Sequence, residues 1–213
     1  GVTGTHLEMS TRWGMLKSPF YNVPLTSEAI EQSIESARPQ DLPPERQILH
    51  LLPQSYAVDG LKGVRNPMGM HALRLDVETL CIVGGTTPIQ NLVHAVESSR
   101  IQTKSLVMSG IAASEACLTR DEKEMGVVLI DIGGGVTTIT LFQNGSIVNA
   151  AVLPVGGHQF TTDLAVALNT PYDVAEELKL RHGQANAEDI GEERVEVQAF
   201  GDRRTVKVEK RLV

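Results

Sequence analysis

Hydrophobic positions in this chain change period several times, and the changes divide it. Ala29, Ile30, Ile34 and Ala37 recur at helical spacing behind Thr26 or Ser27, either of which can cap. A helix is therefore predicted through Arg38, ended by Pro39, Pro43 and Pro44. Residues 9–25 hold the only tryptophan, Trp13, with Pro19 and Pro24; they show no period and read as a loop with room for one strand. Gln47–Leu52 and Tyr56–Val58 are strand-like, and Asn66-Pro67 and Gly69 supply turn chemistry. Leu73, Leu75 and Val77 then alternate with Arg74, Asp76 and Glu78, the period of a half-buried antiparallel strand, before the wholly apolar Leu80–Val83. This stretch reads as a small α+β unit, one helix on a few strands.

Gly84-Gly85 breaks the pattern. Thr87 is the predicted N-cap of the next helix, with Pro88 at its first position and Ile89, Leu92, Val93 and Val96 on one face. Leu106–Met108 reads as a short strand and Ala112–Leu118 as a helix. Residues 126–131, GVVLID, form a continuous apolar run ending in an acid, as expected of a strand buried on both faces. Thr137–Phe142 and Ser146–Leu153 are strands joined by Asn144-Gly145, a strong hairpin turn. Gly156-Gly157 opens a helix with Phe160, Leu164, Ala167 and Leu168 on one face. Thr170-Pro171 opens another that runs to His182 and stops at Gly183. Val195, Val197, Val206 and Val208 alternate around Gly201-Asp202 as a hairpin.

Composition narrows the class. The 213 residues allow one or two domains, and 41% hydrophobic with 21% charged residues excludes disorder, collagen and coiled coil. With 26 acidic against 19 basic residues and a net charge of −7, the chain lacks the basic footprint of a nucleic-acid binder. No apolar run reaches the ~20 residues of a bilayer span, and no signal peptide is evident. Cys81 and Cys117 sit apart in apolar segments, which suits a reducing cytoplasm. A start at Gly1 and an end in half a strand pair read as a piece of a longer chain.

The chemistry concentrates in Ile130-Asp131-Ile132-Gly133-Gly134-Gly135-Val136-Thr137-Thr138. A strand delivers an acid, and three residues without Cβ let a phosphate approach the backbone, whose N–H groups can converge on one anion. Thr137 and Thr138 can add hydroxyl donors, and Asp131 can hold Mg²⁺ through water. No Gly-Lys-Ser/Thr follows and the next element is a strand, so neither a P-loop nor a dinucleotide fingerprint fits. An ordinary glycine-rich hairpin has the same spacing.

The run DIGGGVTTI resembles the second phosphate loop of the actin, MreB and DnaK-type ATPase superfamily. More narrowly, LLPQSYAVDGLKGVRNPMGM (51–70), LTRDEKEMGVVLIDIGGGVTTI (118–139) and LPVGGHQFTTDLAVALNTPYDVAEELKLRHG (153–183) are similar to the FtsA family of bacterial cell-division proteins. The resemblance implies an α/β fold of actin-like (ribonuclease-H-like) subdomains with an inserted small α+β subdomain. Residues 1–6 would end subdomain 1A, 7–83 form the insert (1C), 84–122 complete 1A, 123–190 form 2A, and 191–213 lead as a hairpin toward 2B.

The resemblance also implies a site. Gly156, Gly157 and His158 precede a helix whose N-terminus faces the nucleotide phosphates, as helix N-termini suit anions. Glu176 and Lys179, one turn apart, border the nucleoside; a solvated ion pair is the plain alternative. His182 reads as a helix-end residue, not a catalytic base. Ser109-Gly110 stands where many FtsA-like chains carry Glu-Pro, so the implied activity is at most a slow ATPase, with no catalytic residue assigned. The first phosphate loop, the adenine-side glycines and the membrane-touching C-terminal helix have no counterpart in these residues.

The implied function is an ATP- and Mg²⁺-binding protein that forms filaments and ties an FtsZ-type ring to the inner membrane face at the division site. Other division proteins would meet it through the insert, and no nucleic acid is involved. A PilM-like pilus-assembly adaptor is the neighbouring reading, disfavoured by NPMGM and the RHG ending. A sugar-kinase-like phosphotransferase would need an early general base, and none stands out.

Overall fold

The computed structural model describes residues 1–18, 23–186, 194–198 and 205–209, and its contacts group into two compact units. The first holds Gly1–Asp131 and Thr137–Leu153; the second holds Ile132–Val136 and the chain from Pro154 onward.

The first unit contains a four-stranded antiparallel sheet in the order β1-β4-β2-β3, formed by β1 (Glu8–Lys17), β2 (Arg46–Val58), β3 (Leu61–Val64) and β4 (Arg74–Gly85). Helix α1 (Ser27–Glu35) packs on it, its first turn capped by Thr26, whose side chain accepts from the Ala29 N–H. Gly14 shows how closely α1 approaches β1: a Cβ there would lie 2.1 Å from the Ser33 carbonyl oxygen. β4 is the spine of the unit. Its Leu75 and Val77 enter one core with Leu25, Tyr56, Val58 and Ala72. Leu80 and Ile82 enter a second core with Val2, Leu7, Ile89, Met108, Phe142, Ile147 and Ala150. This small α+β lobe agrees with the alternating pattern of residues 73–78.

Three expectations change here. Glu8–Lys17 form a ten-residue strand, β1, in the stretch read as a loop with room for one strand; no period showed because Ser10–Trp13 are exposed on both faces at a sheet edge. Gln47–Leu52 and Tyr56–Val58 are one strand, carried past Pro53 by a register shift between Pro53 and Ser55, where the missing N–H is tolerated. Helix α2 (Thr86–Ser98) starts earlier than predicted: Gly85 is the N-cap, and Thr87 lies inside the first turn. Pro88 still falls where helix N–H groups have no intrahelical partner.

Leu106–Met108 is not a strand but one parallel bridge, Val2 to Met108, flanked by the bond from the Val2 N–H to the Val107 carbonyl at 2.7 Å. Helices α3 (Ser109–Cys117) and α4 (Arg120–Met125) follow. The second was not predicted, although Thr119 and Glu122 form the capping box that the T-x-x-E spacing announces.

A three-stranded sheet, β5 (Val127–Ile132), β6 (Thr137–Gln143) and β7 (Ser146–Leu153), completes the unit apart from Ile132. Asn144 and Gly145 take φ of 53° and 77° in the predicted hairpin turn. β5 is not buried on both faces as its apolar run suggested. It is a sheet edge, and Val128, Ile130 and Ile132 are 52%, 56% and 69% exposed. The Gln54 amide donates to the Ile147 and Val148 carbonyls at 3.1 and 2.8 Å, binding β2 to β7.

The second unit contains α5 (Gly157–Ala167), α6 (Tyr172–His182) and the antiparallel pair β8 (Arg194–Gln198) and β9 (Thr205–Glu209). The Gly201-Asp202 turn predicted between those strands lies outside the described residues. On α5 the buried residues are Thr161 and Leu164, and Phe160 is exposed, so the buried face is rotated from the one predicted. Pro171 is the N-cap of α6, with no side-chain cap. Among the described residues, no helix is long and apolar enough to cross a membrane.

Candidate functional site

Two loops of the second unit close on each other through main-chain bonds. The Gly133 N–H donates to the Val136 carbonyl at 2.9 Å, which folds the glycine run into a tight turn. The Gly157 N–H donates to the Gly133 carbonyl at 2.9 Å, and the His158 N–H to the Gly134 carbonyl at 2.7 Å. The first N–H groups of α5, which have no intrahelical partner, thus clasp the carbonyls of the turn. The clasp commits the carbonyls of Gly133 and Gly134. Gly134 and Gly135 are exposed, and a Cβ at Gly135 would meet nothing within 4 Å.

Gly156 is the tightest point. A Cβ there would lie 2.5 Å from the Gly133 oxygen and 2.7 Å from the Gly134 oxygen, so only glycine permits this approach. At Gly156, then, the glycine is required by backbone meeting backbone within the protein.

Behind the clasp, Glu176 and Lys179 of α6 turn toward α5. The Lys179 ammonium donates to the Gly157 carbonyl at 3.1 Å, to Thr161 Oγ1 at 2.8 Å and to the Glu176 carboxylate at 2.7 Å. The fully buried Thr161 hydroxyl also bonds Glu176. Hydrogen bonds from Lys179 and then Thr161 hold the Glu176 carboxyl below its ordinary range. The pair is an ion pair, but a half-buried one that braces the start of α5. His158 Nδ1 lies 2.6 Å from the Tyr172 hydroxyl, and a Cβ on Gly134 would lie 3.1 Å from its Nε2.

Of the residues singled out in the sequence, Gly133, Gly134, Gly156, Gly157, His158, Glu176 and Lys179 thus meet in one contact network, with Gly135 on the same turn. Asp131, exposed, ends the first unit two residues before Gly133. Thr137 and Thr138 begin β6 in that unit; Thr138 is buried, its hydroxyl 3.0 Å from that of Thr3. Thr161 and Tyr172 escaped the sequence reading. Thr161 carried only its place one turn after Gly157, and Tyr172 carried no signal. Among the described residues, no three His, Cys, Asp or Glu side chains gather as a metal cluster. Asp131 offers one exposed carboxylate, and Mg²⁺ takes one or two carboxylates, filling its shell from phosphate and water.

Two family models match this chain: "Cell division protein FtsA" over residues 128–213 and "SHS2 domain inserted in FTSA" over residues 3–83. The chain belongs to the FtsA family. It is 36% identical over its whole length to the cell division protein FtsA of Neisseria meningitidis, covering 51% of that protein. It is 34% identical to the FtsA proteins of Escherichia coli K12 and Bacillus subtilis, with 95% and 94% of this chain matched to 48% and 46% of theirs. The chain therefore spans about half the length of these relatives. Among solved structures, the PilM-PilN type IV pilus biogenesis complex matches 84% of this chain and 48% of its own, at a TM-score of 0.53 and 19% identity. That likeness shows the fold: actin-like α/β with an inserted α+β lobe.

Proposed function

We propose that this chain carries the phosphate-binding half and the partner-contacting lobe of an actin-like ATP-binding protein of bacterial cell division. The observation that carries this reading is the clasp, which commits the carbonyls of the glycine turn while Gly134 and Gly135 stay exposed with open space at Gly135. Gly133–Gly135 would hold the phosphates, Thr137 would add a hydroxyl donor while the buried Thr138 hydroxyl is taken by Thr3, and Asp131 would hold Mg²⁺ through water. Bound Mg²⁺ supplies charge neutralisation for the phosphates. Gly156, Gly157 and His158 fix the loop, and Glu176 with Lys179 borders the nucleoside while bracing α5. Any ATP hydrolysis is slow, and the chief role is assembly.

In this reading the protein forms filaments and tethers an FtsZ-type ring to the cytoplasmic face of the membrane at the division site. The 7–83 lobe meets neighbouring subunits or division partners and makes no nucleotide contact. The test is Mg-ATP titration of the chain extended to the length of its relatives, alone and with Asp131→Ala. Loss of Mg-dependent binding in a folded variant supports the assignment; unchanged affinity overturns it. The 213-residue chain by itself should bind weakly, because half a clamp must meet the full cost of ordering its ligand. Micromolar binding by this chain would contradict that.

A further inference from the structure

We propose that β1 pairs edge to edge with β1 of a second copy of this chain, antiparallel, about a two-fold axis at Thr11. This deepens the assembly half of the reading above and is independent of its nucleotide half.

The two edges of the four-stranded sheet differ. β3 has four residues, contains Lys62 and Gly63 at φ +78°, and joins β2 through a register shift. Short length, lysine and irregular pairing are what blunt an edge against other chains. β1 has none of these at its open end. It pairs β4 without a register shift over ten residues, carries no proline, and exposes Ser10–Trp13 in succession, with Trp13 66% exposed.

Backbone polarity fixes which groups are available. The Met15 N–H leaves the sheet to reach Ser36 Oγ at 2.8 Å, whereas the Arg12 carbonyl points inward and accepts from Thr79 Oγ1 at 3.1 Å. Direction alternates along a strand, so Met9, Thr11 and Trp13 present their N–H and C=O groups outward. Ser36 already serves Met15, which confines the usable edge to residues 9–13.

A two-fold axis normal to a sheet returns each residue to its own face, so one residue must pair with itself. Only Thr11 as that residue uses all three outward pairs of groups. Met9 of each copy, partly buried against the core that holds Ile82, then lies opposite the exposed Trp13 of the other, a sulfur–aromatic pair. On the opposite face Ser10 meets Arg12, and Arg12 lies diagonal to Glu8 of the other copy, a carboxylate that pairs with Arg46 of its own chain and can be shared. The same short segment is therefore complementary to itself, as a closed two-fold interface requires.

Sedimentation velocity on the 213-residue chain, with and without Thr11→Pro, tests the pairing. The Thr11 N–H faces outward, so proline spares the β4 ladder. Loss of the central bonds should weaken the dimer on the order of 30-fold with circular dichroism unchanged. A second measurement does not depend on that variant. In a Cys117→Ser background, Ser10→Cys and Arg12→Cys chains mixed together should form a disulfide dimer, and each alone should not. They would occupy a non-hydrogen-bonded pair with Cα atoms ~4.5 Å apart, within disulfide reach. A dimer indifferent to Thr11→Pro, or crosslinking as strong within either single variant as in the mixture, overturns the β1 pairing and leaves the assembly reading standing. A chain that stays monomeric at all concentrations likewise overturns the β1 pairing, whereas the assembly reading falls only if the chain extended to the length of its relatives also fails to self-associate or bind a partner.

Discussion

In the four-stranded sheet, Leu75, Val77, Leu80 and Ile82 are each 2% exposed or less, and β4 holds its neighbours by filling two cores with side chains. In the clasp, Gly133, Gly134, Gly156 and Gly157 meet with no side chains at all, through main-chain bonds and contacts that a Cβ would block. The first arrangement tolerates change of shape among apolar residues, because volume can be redistributed. The second tolerates none at Gly156, but leaves polar backbone free to meet a ligand. One region is built to be stable, the other to be exact in position, and substitutions should separate the two.

The largest effect belongs to the sheet. Ile82→Ala removes a fully buried side chain at the meeting of β4, α2 and β7, and should cost about 2–5 kcal/mol of unfolding free energy in urea titration. Hydrogen exchange should show the loss in β4 and its partners, with α5 and α6 unaffected; equal loss in α5 would mean that the regions do not separate. Next comes Gly156→Ala, whose Cβ must displace two loop carbonyls, at about 1–3 kcal/mol. Here exchange should quicken at Gly157 and His158 while β4 stays protected. Thr161→Val should have a smaller effect. It keeps the volume and removes the hydroxyl shared by Glu176 and Lys179, so exchange should rise only in the first turn of α5. An unchanged rate there would show that the brace is idle.

The two regions also differed in what their sequence disclosed. The half-buried strand at 73–78 was legible because one face meets the core and the other meets water, and Asn144-Gly145 because both residues accept positive φ. The glycines and E-x-x-K of the clasp stood out by composition and family resemblance. Their contacts did not: that Lys179 reaches the Gly157 carbonyl depends on how α5 and α6 pack, which neither helix states alone. β1 was read only as a loop with room for one strand, for a physical reason. Periodicity reports the difference between two faces, and an edge strand wetted on both faces at Ser10–Trp13 has little difference to report. β5 misled in the opposite sense. Its apolar run implied two covered faces, whereas Val128, Ile130 and Ile132 lie exposed at a sheet edge.

Acid separates the regions most finely. His50, on β2, accepts the Met108 N–H on Nε2 at 3.1 Å, so its proton sits on Nδ1, and burial pushes its pKa below the usual 6.5. Protonation at Nε2 would break that bond and strand a buried amide. Below about pH 6.5 the unfolded chain takes up a proton that the folded chain refuses, so the first unit loses stability as pH falls toward the folded-state pKa. The slope stays under the ~1.4 kcal/mol per pH unit of a single proton, and well under it because His50 is only partly buried. In the second unit the sensitive group is Glu176, lowered from 4.5 by Lys179 and Thr161. Its contribution is intact above pH 4.5 and is lost only as pH falls through its folded-state value. Between pH 7.5 and 5, therefore, protection of β2 and β4 should decline while that of α5 and α6 holds, and His50→Gln should flatten the decline. If α5 softens first on acidification, the assignment of the acid-sensitive contact to His50 is wrong.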